Sequence, residues 1–208
     1  MSVTSRRTPV QGRSQETVQK VLAATADLLA GGQPVDHLTT AAIAASAGVS
    51  VGALYRFFPD KQAIVDAIAL KHMETFQEAL STRLMLAFPA SPQDFLAAVI
   101  DGFADYLVAH PDFRTIAFGH GGAGRTISRA TRDAYAASGE VADLVRSFLA
   151  EVFGIAVTED FDFRLRLAIE AGDRLLGFAF EQASEAARRR VIAETKRILN
   201  LTLFERVE

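Results

Sequence analysis

The sequence predicts an all-α protein of about nine helices. Three features of the 208 residues point there. Alanine is abundant, while runs of β-branched residues that would mark buried strands are scarce. Apolar residues recur three and four positions apart through most of the chain. The periodic stretches are punctuated by helix breakers: Gly31-Gly32, Gly48, Pro59, Pro89 and His110-Pro111.

Taken in order, residues 1–13 read as a disordered basic arm carrying Arg6, Arg7 and Arg13. Ser14 is placed to cap a first helix with Val18, Val21, Leu22, Leu28 and Leu29 on its apolar side, ended by the glycine pair. Thr39 or Thr40 caps a short second helix that runs through Ala47, with Ile43 and Ala44 facing inward. Gly48 breaks it, Ser50 caps a third helix to about Phe58, and Pro59 stops that helix because the residue before a proline avoids helical angles. Asp60 caps a long fourth helix with Ile64, Ile68, Phe76, Leu80 and Leu84 at four-residue spacing. Helices follow over 94–109, 113–118, 126–153, 162–183 and 186–205. The expected organisation is the arm over 1–13, a small head over 14–60 and a larger body over 61–208.

Composition narrows the function. There is no cysteine, so disulfides and thiolate sites are excluded. The four histidines lack metal-ligand spacing along the chain, and no metal or cofactor is expected. The arginines near the N-terminus are followed by no apolar signal-peptide core, and no uncharged apolar run of about 18 residues exists, so no membrane partner and a cytoplasmic location are expected. The net charge is −3. Residues 1–61, however, set Arg6, Arg7, Arg13, Lys20, Arg56 and Lys61 against Glu16, Asp27, Asp36 and Asp60, so a mildly basic head sits on an acidic body.

Two glycine-rich motifs invite catalytic or nucleotide-binding readings. Gly48-Val49-Ser50-Val51-Gly52 spells the nucleophile elbow of serine hydrolases, which needs a strand before the serine and an acid and a histidine after it. Here an alanine-rich, helical stretch precedes Gly48, and the last histidine is His120. Gly119, Gly121 and Gly124 match a dinucleotide-binding fingerprint, for which Arg114–Phe118 would have to be a strand within a parallel sheet. No catalytic residue is assigned.

Residues 38–68 read better as helix, tight turn, helix. Ile43, Ala47, Val49, Leu54 and Phe58 would pack the two helices crosswise, and Ala44 and Ala47 are small enough for close approach. In helix-turn-helix proteins the N-terminal part of the second helix enters the major groove. That part presents Ser50, Val51, Gly52, Ala53, Tyr55 and Arg56, with Lys61 within reach of a phosphate. One such module reads too few bases for a genomic address, so a symmetric dimer on a palindromic operator is expected.

The segments Leu38-Thr39-Thr40, Ile43-Ala44, Ala47-Gly48-Val49-Ser50 and Leu54-Tyr55-Arg56-Phe57-Phe58-Pro59-Asp60-Lys61 resemble the DNA-binding head of the tetracycline-repressor (TetR) family of bacterial transcriptional regulators. The strong resemblance covers about residues 14–70. It implies that Thr39, Thr40, Tyr55 and Lys61 hold backbone phosphates. Phe57 departs from the family pattern, in which His or Tyr donates to phosphate at that position; Arg56 stands beside it to compensate. The resemblance also implies that the last two helices pair with their copies in a four-helix bundle, and that a small-molecule effector releases a repressor from its operator by tilting the connecting helix, Lys61 to about Leu86; an activator of the same fold and a small-molecule-binding protein without a DNA role are the alternatives.

In the body, residues 163–183 carry one apolar face of Leu165, Ala168, Ile169, Gly172, Leu176 and Phe180 and a second of Phe163, Leu167, Ala171 and Phe178, as expected for a helix between core and partner. The final helix repeats Val191, Ile192, Thr195, Ile198, Leu199, Thr202 and Leu203. The chain holds fifteen phenylalanines and no tryptophan. Met73, Phe76, Phe103, Tyr106, Phe113, Phe118 and Phe148 are candidates to line a pocket for an apolar or aromatic effector, with His120 and Arg174 as polar anchors.

Overall fold

A computed structural model of the chain describes residues 9–119 and 140–205. Within them stand nine α-helices: α1 Pro9–Ala30, α2 Thr40–Ala47, α3 Val51–Tyr55, α4 Lys61–Ala87, α5 Pro92–Ala109, α6 Pro111–Phe118, α7 Glu140–Phe153, α8 Glu159–Phe180 and α9 Glu185–Phe204. No strand is found among the described residues. Residues 1–8, with Arg6 and Arg7, and residues 120–139, with His120 and most of the glycine-rich motif, lie outside the described part.

The caps explain most helix starts. Thr39, Ser50, Asp60, Ser91, Thr158 and Ser184 each accept a hydrogen bond from the backbone N–H three residues on. Helix α1 departs from expectation. It is already running at Pro9, so Ser14 lies inside it and residues 9–13 are not part of an unstructured arm. Proline suits an opening turn because its missing N–H has no partner there to lose. Helices α5 and α6 likewise start on prolines, at Pro92 and Pro111, two residues before the expected starts. Helix α8 runs from Glu159 to Phe180, three residues earlier at both ends than expected. Helix α3 is shorter than expected: beyond Tyr55 the chain tightens, with the N–H groups of Phe57 and Phe58 both donating to the Leu54 carbonyl.

Two cores form. Val21 and Leu29 of α1, Ile43 of α2 and Leu54 and Phe58 around α3 pack with Ile64, Val65 and Ile68 of α4 and Ile116 of α6. Phe76, Leu80 and Leu84 of α4 pack instead with Phe95 and Leu107 of α5, Leu149 of α7, Leu165 and Leu176 of α8, and Leu199 of α9. The head core therefore runs past residue 60 into α4, and α6 of the body contributes to it. Met73 packs against both cores.

Two glycines work inside the protomer. A Cβ on Gly172 would come within 3.0 Å of Leu199 Cδ1 on α9, and one on Gly177 within 3.1 Å of Phe118 Cδ1 on α6. Their closeness serves the chain's own helices, not the approach of a partner. At the end of α4, Phe88 takes the left-handed conformation (φ 39°) with its ring in solvent. A side chain there costs about 1–2 kcal/mol relative to glycine. Phe88→Gly is therefore expected to raise the stability of the folded chain by about 1 kcal/mol, read as an upward shift of the urea unfolding midpoint with an unchanged slope.

Candidate nucleic-acid interface and effector region

Gly48 makes the turn between α2 and α3. It sits in the left-handed region (φ 65°, ψ 31°), and its own N–H and that of Val49 close onto the Ala44 and Ala45 carbonyls. Ile43 and Ala44 of α2 and Leu54 of α3 are buried at the crossing. Ser50 accepts from the Ala53 N–H at 3.1 Å, and the chain before it is helix. The nucleophile-elbow geometry is absent here, and Ser50 is a helix cap. The strand required before the Gly119 motif is also absent, because Arg114–Phe118 lies in α6.

The outer side of α3 is open. Val51, Gly52 and Arg56 are exposed, Tyr55 is 51% exposed, and nothing lies within 4 Å of where a Gly52 Cβ would stand. Ala53 is half-buried beneath this face. Thr40 Oγ1 lies 3.1 Å from Tyr55 Oη, so the start of α2 and the end of α3 present a joined pair of hydroxyls. Thr39 is exposed beside them and spends its hydroxyl oxygen on the Ala42 N–H. The Arg56 guanidinium stands 5.8 Å from the Phe57 ring centre.

Lys61 is placed differently from the phosphate-binding expectation. Its ammonium donates to the carbonyls of Val35 (3.0 Å), Asp36 (2.9 Å) and Leu38 (3.1 Å). All three belong to a 3₁₀ turn, Val35–His37, and the residue after it. An ammonium has three protons, and all are spent on this turn. Lys61 thus fixes the segment that delivers Thr39 and Thr40.

The aromatic set of the body divides into three groups. Phe76, Phe103, Tyr106 and Phe113 touch one another edge-on or tilted between α4, α5 and α6, with Met73 beside them. Phe148 instead stacks on Phe95, 4.4 Å between centroids, with Phe153 next to the pair. Phe118 stacks on Phe180. Arg174 is 73% exposed and faces Glu181, so it is not an anchor inside the body. His120 lies outside the described residues. An open cleft of about 640 Å³ runs between α4 and α5, lined by Phe76, Leu80, Arg83, Gly102 and Tyr106 among others.

Chain spacing did not anticipate a further group. His72 on α4 is hydrogen-bonded through Nδ1 to Tyr106 Oη (2.9 Å) and through Nε2 to Asp112 Oδ2 (2.8 Å), with the His110 ring beside it. Burial, and then the Asp112 carboxylate, push the Tyr106 hydroxyl up to about 12. Burial and the neighbouring His72 hold His110 below the ordinary histidine value. Burial works to raise Asp112, but the hydrogen bond and charge of His72, with backbone N–H donors, hold it below the ordinary carboxylate value. One signal was present in the sequence. His72 fills the gap in the row Ile64, Ile68, Phe76, Leu80, Leu84, and a polar residue in a buried row needs a partner.

Comparison with known proteins agrees with this architecture. Residues 21–68 match the family described as bacterial regulatory proteins, tetR family, and residues 90–207 match the tetracyclin repressor-like C-terminal domain. Curated relatives include the nucleoid occlusion factor SlmA of Pectobacterium carotovorum, 32% identical over 107 residues, which is 49% of this chain and 50% of that protein. The chain thus spans about half the length of the curated relatives it matches. A TetR-family transcriptional regulator from Streptomyces coelicolor superposes with a TM-score of 0.68 at 28% identity, covering 90% of this chain and 97% of that one. A TetR transcriptional regulator from Rhodococcus sp. RHA1 shares the fold at 20% identity, with a TM-score of 0.64 over 94% of this chain and 100% of its own.

The internal use of Lys61 has a measurable consequence. Lys61→Met leaves three carbonyls without a charged donor, and is expected to lower the stability of the folded chain by roughly 1.5–3 kcal/mol in urea unfolding. The slope of log DNA affinity against log salt should stay at the wild-type value, whereas loss of a phosphate-bound lysine would reduce it by about one.

Proposed function

The chain belongs to the tetR family of bacterial regulatory proteins, and we propose that it works as a ligand-responsive transcriptional repressor, a homodimer released from a palindromic operator by a small apolar or aromatic molecule. The observation that carries this reading is the open face of α3. Val51, Gly52, Tyr55 and Arg56 are exposed while Leu54 anchors the helix from the other side. Small residues let the helix backbone approach base edges, and Arg56 suits guanine or phosphate. The paired hydroxyls of Thr40 and Tyr55 and the exposed Thr39 suit the phosphates flanking the groove.

The dimer reading rests on α8 and α9. Leu165, Ala168, Gly172 and Leu176 are buried in the chain's own core, whereas Phe163 (59% exposed), Leu167, Ile169 and Phe178 lie open on α8, with Ile198 and Leu201 on α9. Ile169, which the sequence groups with Leu165 and Leu176, is 42% exposed at the edge of that buried face. Several large apolar side chains on one helix pair exceed what an isolated soluble surface usually presents. A second copy of the same pair would cover them about a two-fold axis. No helix among the described residues is long and apolar enough to cross a membrane, so a bilayer-spanning role does not account for this face.

The effector reading is narrower than the sequence suggested. Of the candidate set only Phe76 and Tyr106 line the α4–α5 cleft; Phe103 and Phe113 pack behind them, Met73 packs against the same core, and Phe118, Phe148 and Arg174 belong elsewhere. A ligand there would act on α4, which reaches into the head, by favouring one tilt of that helix over another. It shifts the equilibrium only by its differential affinity for the two states.

The test is fluorescence-anisotropy binding to DNA from beside the protein's own gene and to scrambled DNA, at several salt concentrations. A preference of about 10³ or more for the native fragment, with a steep salt dependence, is the expected result. Equal weak binding to both would overturn the operator reading, and identical operator affinity with and without a bound effector would overturn the induction step. Gly52→Leu is expected to fold normally and lose operator affinity on the order of 10–100-fold. Phe163→Glu combined with Leu167→Lys should give monomers by sedimentation, with operator affinity lower by about 100-fold or more as the paired reading heads are lost.

A further inference from the structure

The corner where α4, α5 and α6 meet carries a polar cluster away from the DNA-facing surface, bordering the aromatic set through Tyr106 and Phe113. His72 projects from α4, His110 ends α5, and Asp112 opens α6. One ligand-capable atom from each lies within 4.8 Å of the other two. The side chains of His72 and Asp112 are only 15% and 13% exposed. His110 touches His72 and Tyr106 through its ring and makes no side-chain hydrogen bond to a described residue.

We propose that this cluster binds a divalent first-row transition ion, typified by Zn²⁺, through one nitrogen of each histidine and the Asp112 carboxylate, leaving at least one coordination position for water or a further ligand. The donor chemistry selects the class of ion. Imidazole with a single carboxylate suits Zn²⁺, Co²⁺ or Ni²⁺, whereas Mg²⁺ and Ca²⁺ take oxygen donors. The dimensions suit it as well. Bonds of about 2.0–2.1 Å in a tetrahedral site set ligand atoms roughly 3.3 Å apart. The 2.8 Å between His72 Nε2 and Asp112 Oδ2 and the 4.8 Å limit of the cluster bracket that value. Modest side-chain rotations complete the set while the helices stay in place.

Tyr106 supports the site from behind. Its oxygen lies 2.9 Å from His72 Nδ1 and 3.2 Å from the His72 carbonyl oxygen. With Nε2 turned to the ion, Nδ1–H donates to the Tyr106 oxygen and the Tyr106 hydroxyl donates to the carbonyl. That chain of donors holds the ring in its ligating orientation, the role usually played by a partner of a metal-bound histidine.

The position of the ion has a mechanical consequence. Helix α6 is tied to the head, since Ile116 lies in the head core and Thr115 Oγ1 reaches the Leu29 carbonyl of α1. An ion shared by His72 and Asp112 clamps α4 to α6 at the level where head and body meet, so its occupancy biases the angle of the head. This consequence, unlike the site itself, rests on the DNA-binding reading.

The site is tested without DNA. The untagged full-length chain, stripped with chelator, is titrated with ZnCl₂ by calorimetry and with CoCl₂ by visible absorption. One ion per chain is expected, with affinity lowered by at least about 10-fold in His110→Ala and Asp112→Asn, and by roughly 10–100-fold in Tyr106→Phe. His37→Asn, at an exposed histidine of the 3₁₀ turn, should leave it unchanged. His110→Ala removes no cap hydrogen bond, and circular dichroism of each apo variant checks that it folds. Absence of saturable binding by the wild type, wild-type affinity in both ligand variants, or displacement of Co²⁺ by equimolar Mg²⁺ would overturn the site. Zinc binding that leaves operator affinity unmoved would overturn the clamp alone, and absence of any specific DNA binding would overturn the DNA reading while the titration still decides the site.

Discussion

Helix α4 belongs to two cores at once, and most of the molecule's mechanics follows from that. Ile64, Ile68, His72, Phe76, Leu80 and Leu84 stand four residues apart. Each step of four in a 3.6-residue helix turns the row by about 40°. The row therefore winds around the helix, facing the head near Ile64 and Ile68 and the body from Phe76 onward. Cores are close-packed, so neither end of α4 can shift without its neighbours shifting too. A molecule or ion that acts on the middle of the helix is felt at both ends.

Polar groups are sorted by the same constraint. Lys61, at the first turn of α4, is drawn inward to three carbonyls that the short 3₁₀ turn before α2 points at one spot, of which only Val35's also accepts a backbone N–H among the described residues. Arg56 and Tyr55, five and six residues earlier, have no such acceptors beneath them and remain outside. His72 is the one polar member of the α4 row. It lies in contact with Tyr106, Asp112, His110 and Phe113, and so collects its partners from two other helices.

The helix-turn-helix was the most legible part of the chain. Its cap residues, its left-handed glycine and its spacing are local, acting over three or four residues, and the helices start where Thr39, Ser50 and Asp60 say they should. The all-helical class was legible for the same reason. The errors at helix ends lie mostly where proline begins a helix instead of ending one, at Pro9, Pro92 and Pro111. The candidate effector set was only partly legible. Helical spacing shows that Phe103 and Phe148 are inward-facing, but not that one joins Phe76 and the other Phe95.

The sequence by itself determined the caps at Thr39, Ser50 and Asp60, the turn at Gly48, and which short helix presents an open, basic-tipped surface. These depend on backbone geometry and hydrogen bonds between near neighbours. Tertiary structure alone decided that Lys61 points inward, that Gly172 and Gly177 make room for Leu199 and Phe118 of the same chain, and that His72 meets Asp112 forty positions away. Such pairings depend on the angles at which helices cross, and those angles are set by the packing of whole cores, which no local pattern encodes.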